Sequence, residues 1–140
     1  AAVGCPERTV WVVAGDGGFQ MNIQELATVA QENIALRIAV INNQCLGMVR
    51  QWQESFYERR YSAVALSGPD LVKVASAYGI EGYMVEKAEN LKEILDSVSE
   101  EKGPVLVDLR VVEDENVYPI VPTGTALHDL IKGPALPTQV

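Results

Sequence analysis

Apolar residues fall into two kinds of run along this chain, and the alternation between them predicts its elements. Residues 9–14 (TVWVVA) are continuous, apolar and β-branched, then break into Gly15-Asp16-Gly17-Gly18. That is the pattern of a buried strand entering a tight turn. Residues 22–33 place Ile23, Leu26, Ala27 and Ala30 at helical spacing. Residues 35–41 (ALRIAVI) read as a second buried strand, interrupted by Arg37 and ending at Asn42-Asn43. A strand–helix–strand unit of this kind implies parallel pairing. In residues 47–60, Met48, Trp52 and Phe56 share one face of a short helix or helical loop, and from spacing alone they read as a buried stripe.

Residues 69–78 predict a helix that opens at Pro69 and stops at Gly79. A strand follows at 82–86. Residues 90–102 predict a helix with Leu91, Ile94, Leu95 and Val98 inward, stopped by Gly103-Pro104, and 104–111 (PVLVDLRV) a last strand. The order β-α-β-α-α-β-α-β predicts an α/β fold: an open, mostly parallel sheet with helices on both faces. Residues 1–111 form one domain. Residues 112–140 hold four of the seven prolines and predict an extended tail of that domain, with a short helix near 126–131. Ala1-Ala2-Val3-Gly4 reads like the end of a helix begun upstream, so the chain is expected to be an N-terminally truncated fragment.

Composition narrows the partners. With 140 residues and 48% of them hydrophobic, the chain can build a core as a single domain. A net charge of -8 excludes nucleic acid and anionic membrane, which need a basic footprint. No apolar run approaches the ~20 residues that span a bilayer. Two cysteines, Cys5 and Cys45, make no disulfide framework and suit a reducing, cytosolic setting.

The candidate chemistry sits at the predicted ends of the first two strands. In open parallel sheets, ligands bind at the carboxyl ends. Glycines let a backbone approach a phosphate, and free helix N–H groups receive it. Asp16 offers a hard anionic oxygen and Asn43 an amide oxygen. Mg²⁺ takes such ligands and shares them with phosphates. A dication also lets an acidic domain hold a polyanion. The bland alternative is a left-handed turn at Gly15–Gly18 and an Asx turn at Asn42-Asn43.

The spacing Gly15-Asp16-Gly17, 24 residues, Asn42-Asn43 resembles the signature of thiamine-diphosphate enzymes. By that resemblance Asp16, Asn43 and the main-chain carbonyl of Cys45 hold Mg²⁺, while Gly15, Gly17, Gly18, Gly47 and Met48 lie against the diphosphate or the rings. A thiolate role for Cys45 does not suit a hard ion. Residues 42–57 (NNQCLGMVRQWQESFY) are similar to NNxxLGMVxQWxxxFY of the acetohydroxyacid (acetolactate) synthase family, residues 15–28 to its GDGxFxMNxQELAT, and residues 115–124 to its ENVxPxxPxG ending.

The resemblance covers nearly the whole chain. It implies Mg²⁺- and thiamine-diphosphate-dependent condensation of pyruvate with pyruvate or 2-oxobutyrate, with loss of CO₂, in branched-chain amino-acid biosynthesis. It implies 2-oxoacid substrates, a homodimer or tetramer, a regulatory subunit as a candidate partner, and a bacterial cytoplasmic, plastid or mitochondrial location. It places Trp52 in the site for the second 2-oxoacid and leaves Phe56 in the buried stripe. The glutamate that activates the cofactor and the FAD-binding domain belong to regions outside this chain, so the fragment carries no catalytic residue and is expected to be inactive alone.

Two alternatives stand beside it: another thiamine-diphosphate enzyme (a 2-oxoacid decarboxylase or pyruvate oxidase), or a non-catalytic phosphate-binding α/β module. Of the remaining residues, His128 reads as a surface or capping group. Glu25 reads as a local pairing residue. Arg50, Arg59, Arg60 and residues 113–115 read as solvated charge.

Overall fold

A computed structural model describes residues 1–133. Its strands are β1 (Val10–Gly15), β2 (Leu36–Asn42), β3 (Glu81–Val85) and β4 (Val105–Arg110), and its helices are α1 (Asp16–Gln20), α2 (Leu26–Gln31), α3 (Gly47–Phe56), α4 (Leu71–Ala77) and α5 (Leu91–Glu100). The four strands form one parallel sheet in the order β1-β2-β4-β3. The α/β expectation is met. β4 inserts between β2 and β3, so β3 pairs with β4 alone.

Side-chain alternation divides the sheet into two faces. On the first, Ile38, Val40 and Leu106 pack with Phe19 of α1, Leu26 and Val29 of α2, and Leu71 and Ala75 of α4. On the second, Val85, Val105 and Val107 pack with Val98 of α5. Asp70 caps α4, accepting from the Lys73 N–H at 3.1 Å. Arg37 faces the α5 side and is buried, donating to the carbonyls of Gly103 (2.7 Å) and Glu101. The charge that interrupts β2 therefore serves the carboxyl end of α5, where carbonyls lack helical partners.

Several expectations change. Residues 9–14 are not buried among the described residues: β1 pairs there with β2 alone, and Trp11 and Val13, with Ile41 of β2, are exposed on the second face. Alternation along the strand leaves that side of β1 without helix cover among the described residues. In α2, Val29 is buried and Ala27 exposed, because the helix begins at Leu26 after a separate 3-10 turn at Ile23–Glu25. Leu91 of α5 is exposed at the helix start, not inward. The short helix in the tail is a 3-10 turn, Leu127–Asp129. The last part of the predicted tail, residues 134–140, lies outside the described residues.

Candidate functional site

The site is built where β1 and β2 end side by side. In register, Gly15 lies opposite Ile41, which sets Asp16 level with Asn42 and Asn43 just beyond. Gly15 ends β1 in ordinary extended backbone, and α1 starts at once with Asp16 as its first residue. The expected glycine turn is absent: among the described glycines, only Gly79, Gly124 and Gly133 have positive φ. Close approach explains the glycines instead. A Cβ on Gly17 would meet the side chains of Leu46 and Leu66 at 3.0 Å, and one on Gly47 would meet the Asn43 amide nitrogen at 3.2 Å. Gly15 and Gly18 face open space.

After β2 the chain turns sharply. The Gln44 N–H donates to Asn42 Oδ1 at 3.3 Å, and the Cys45 N–H donates to Asn43 Oδ1 at 3.2 Å. Gln44 takes a φ of 55° to do so. The Asx geometry of the bland alternative is therefore present, yet Asn43 Oδ1 keeps a second lone pair. α3 then begins at Gly47 with first-turn N–H groups free for an acceptor. Asp16, Gln20, Asn42, Gln44 and Arg110 share the wall of a cavity of about 20 Å³, room for one water.

The donor set suits a hard ion delivered with phosphate. The Asp16 carboxylate is half-buried and accepts no hydrogen bond from the described residues. Among them no cluster of three His, Cys, Asp or Glu side chains can hold a metal. An ion here would rely on one carboxylate, an amide, backbone oxygen and the ligand's own oxygens, as Mg²⁺ does with phosphates. Burial pushes the Cys45 thiol up, Glu113 and Asp16 add to the effect, and Arg50 opposes it. Cys45 stays a thiol, a poor ligand for a hard ion.

α3 has an open outer face. Met48, Val49, Trp52, Phe56 and Tyr57 are all exposed, and Trp52 meets Phe56 edge-on at 5.4 Å. The stripe predicted as buried, Phe56 included, is a surface. Val49, Trp52, Gln53, Tyr57 and Arg60 line an open groove of about 470 Å³. The opposite side of the helix is held by a polar residue: Gln51, 1% exposed, donates to the Val117 carbonyl at 2.8 Å and accepts from its N–H at 2.9 Å. Asn116 reaches Glu54 at 3.4 Å, and Glu54 pairs with Arg50 at 3.0 Å.

Arg50 also lies 5.2 Å over the Tyr61 ring, so it is not a solvated charge. His128 is exposed beside Asp129, a surface residue as expected. Asp108 and the Gln51 clamp are functional candidates whose roles no sequence motif marks.

Comparison with known proteins places the chain. Residues 1–109 match the family model "Thiamine pyrophosphate enzyme, C-terminal TPP binding domain". The chain is 41% identical over 133 residues to the acetolactate synthase isozyme 2 large subunit of Escherichia coli, covering 94% of this chain and 24% of that protein. It is 45% identical over 131 residues to the mitochondrial acetolactate synthase of Schizosaccharomyces pombe, covering 94% and 20%. The chain thus spans less than a quarter of the length of these relatives. A thiamine diphosphate-dependent 4-hydroxybenzoylformate decarboxylase from Rhodococcus jostii superposes with a TM-score of 0.76 at 28% identity, over 83% of this chain and 22% of that one. With the match running from the first residue through almost all of β4, the chain belongs to the C-terminal TPP-binding domain family of thiamine pyrophosphate enzymes.

Proposed function

We propose that this chain is the cofactor-diphosphate-binding part of an acetolactate synthase catalytic subunit. The observation that carries the reading is the paired tips of β1 and β2, which set Asp16 and Asn43 beside two glycines where an added Cβ would crowd neighbouring side chains. Identity of 41% and 45% to acetolactate synthases over 94% of the chain supports this enzyme over other thiamine-diphosphate enzymes.

In this reading Asp16, the Asn43 side chain and the Cys45 carbonyl hold Mg²⁺. Backbone at Gly15, Gly17 and Gly18 and the α3 N-terminus at Gly47 and Met48 receive the diphosphate. Thiamine diphosphate supplies the carbon nucleophile and electron sink for decarboxylating pyruvate and joining it to a second 2-oxoacid. The chain's own residues bind and orient. The dication offsets repulsion between diphosphate and a domain of net charge -8. Trp52, on the open face of α3, gives flat apolar area to the acceptor, which favours 2-oxobutyrate over pyruvate by its extra methylene.

The activating glutamate, the FAD site, subunit assembly as dimer or tetramer, and any regulatory subunit belong to the complete enzyme. Its location is the cytoplasm in a bacterium, or plastid or mitochondrion in a eukaryote. No described helix is long and apolar enough to cross a membrane.

The test is calorimetry of the complete protein with thiamine diphosphate, with and without Mg²⁺. Wild type is expected to need Mg²⁺, and Asp16→Ala to lose Mg²⁺-dependent cofactor retention. Cofactor affinity unchanged in Asp16→Ala would remove the metal assignment.

A further inference from the structure

β4 carries a residue that the core has no use for. Asp108 lies between Val107 and Leu109 and is fully buried, on the same face of the sheet as Leu106 and Asn42. An apolar side chain would serve the packing there. A buried carboxylate has to be compensated by partners. One oxygen, Oδ1, accepts from Asn42 Nδ2 at 2.9 Å. The other, Oδ2, has Arg110 Nη2 at 3.1 Å, near enough to pair in charge though not aligned as a hydrogen bond.

We infer that Asp108 is a positioning residue for the loop that carries Asn43 and Cys45, an inference that rests on the metal site proposed above. A carboxylate oxygen takes its hydrogen bond from the nitrogen end of an amide. It therefore fixes which end of the Asn42 amide faces β4. The amide oxygen must then face the loop, where it accepts from the Gln44 N–H. That bond holds Gln44 in its left-handed conformation, and the next turn hands the Cys45 N–H to Asn43 Oδ1. Both oxygens assigned to the ion, the Asn43 amide and the Cys45 carbonyl, belong to the segment so fixed. Arg110 balances the carboxylate and reaches the one-water cavity that Asp16 also lines. The anchor thus ties β4 to the tips of β1 and β2, although Asn42 and Asp108 are 66 residues apart.

The test uses the complete holoenzyme and titrates Mg²⁺ in the presence of thiamine diphosphate by calorimetry, alongside melting of the metal-free protein. Residues that orient metal ligands typically contribute 10–100-fold in affinity. Asp108→Leu is expected to weaken Mg²⁺ binding about 10–100-fold. Asp108→Asn, which can still accept from Asn42, is expected to fall between it and wild type. Excess Mg²⁺ should restore kcat with the KM for pyruvate unchanged. Adding Asn42→Ala to Asp108→Leu should weaken binding little further, because the two act as one unit. Leu106→Ala, a neighbour on the same face, should lower the melting temperature without changing Mg²⁺ affinity.

Wild-type Mg²⁺ affinity in both Asp108 variants would overturn the inference, as would an equal loss in Leu106→Ala. If Asp108→Leu does not fold, Asp108→Asn decides alone. Should Asp16→Ala abolish the Mg²⁺ response while the Asp108 variants keep it, only this inference fails. Should Asp16→Ala leave the response intact, the metal site and this inference fall together.

Discussion

The tip of β2 and the outer face of α3 break the rule of apolar inside and polar outside in opposite directions. At the first, Asn42 and Asp108 are buried and bonded to each other. At the second, Met48, Trp52 and Phe56 stand exposed while Gln51 of the same helix is buried. Buried polar groups need well-placed partners, so they fix geometry more firmly than apolar contacts of similar size. Exposed aromatic area costs solvation unless a ligand or partner covers it. One region holds chain segments in place; the other presents a surface from a helix held in place.

Four substitutions would sharpen or break that contrast. Leu106→Ala removes a fully buried core side chain and should cost about 2–5 kcal/mol in the melting of the complete protein. Its effect sets the scale for ordinary packing. Gln51→Leu removes both hydrogen bonds to the Val117 backbone and should cost about 0.5–1.5 kcal/mol for each. An equally stable Gln51→Leu protein would mean that the clamp only follows the packing of α3.

Trp52→Leu should leave stability within about 0.5 kcal/mol, because the ring is exposed. It should cut the preference for 2-oxobutyrate over pyruvate roughly fourfold, the worth of one methylene at about 0.8 kcal/mol. A constant product ratio in competition assays would end the acceptor role. The smallest effect concerns Glu54. The Asn116 amide, with Arg50 and Arg59, holds its carboxyl below the usual carboxylate range against the opposing effect of burial. The unfolded chain therefore binds that proton more readily. The stabilisation is complete above the ordinary carboxylate value and fades as pH falls through the lowered one. Glu54→Gln should flatten the acid limb of a melting-temperature profile against pH; an unchanged limb would place the acid sensitivity elsewhere.

The elements were legible because their signals are local. Runs of Val, Ile and Leu mark β2 and β4, and Gly79 and Gly103 follow their helices by two and three residues. The paired motif tips were legible because GDG and NN stand at the ends of β1 and β2. What escaped depends on neighbours that sequence does not name. β1 reads like β2, but among the described strands it has a neighbour on one side only, which leaves Val13 exposed. Met48, Trp52 and Phe56 read as core because spacing gives a face without saying what covers it. Asp108 was missed because one carboxylate in a strand resembles a solvent-facing residue. Its parity with Leu106, two positions earlier, was the available clue.

The insertion of β4 between β2 and β3 also sets an order of events during synthesis. Until residues 105–110 emerge, β3 has no strand to pair with and Asn42 has no carboxylate to hold. Contacts so distant along the chain form late in folding. A ribosome-bound chain arrested short of Val105 would therefore leave the loop after Asn42 without its anchor.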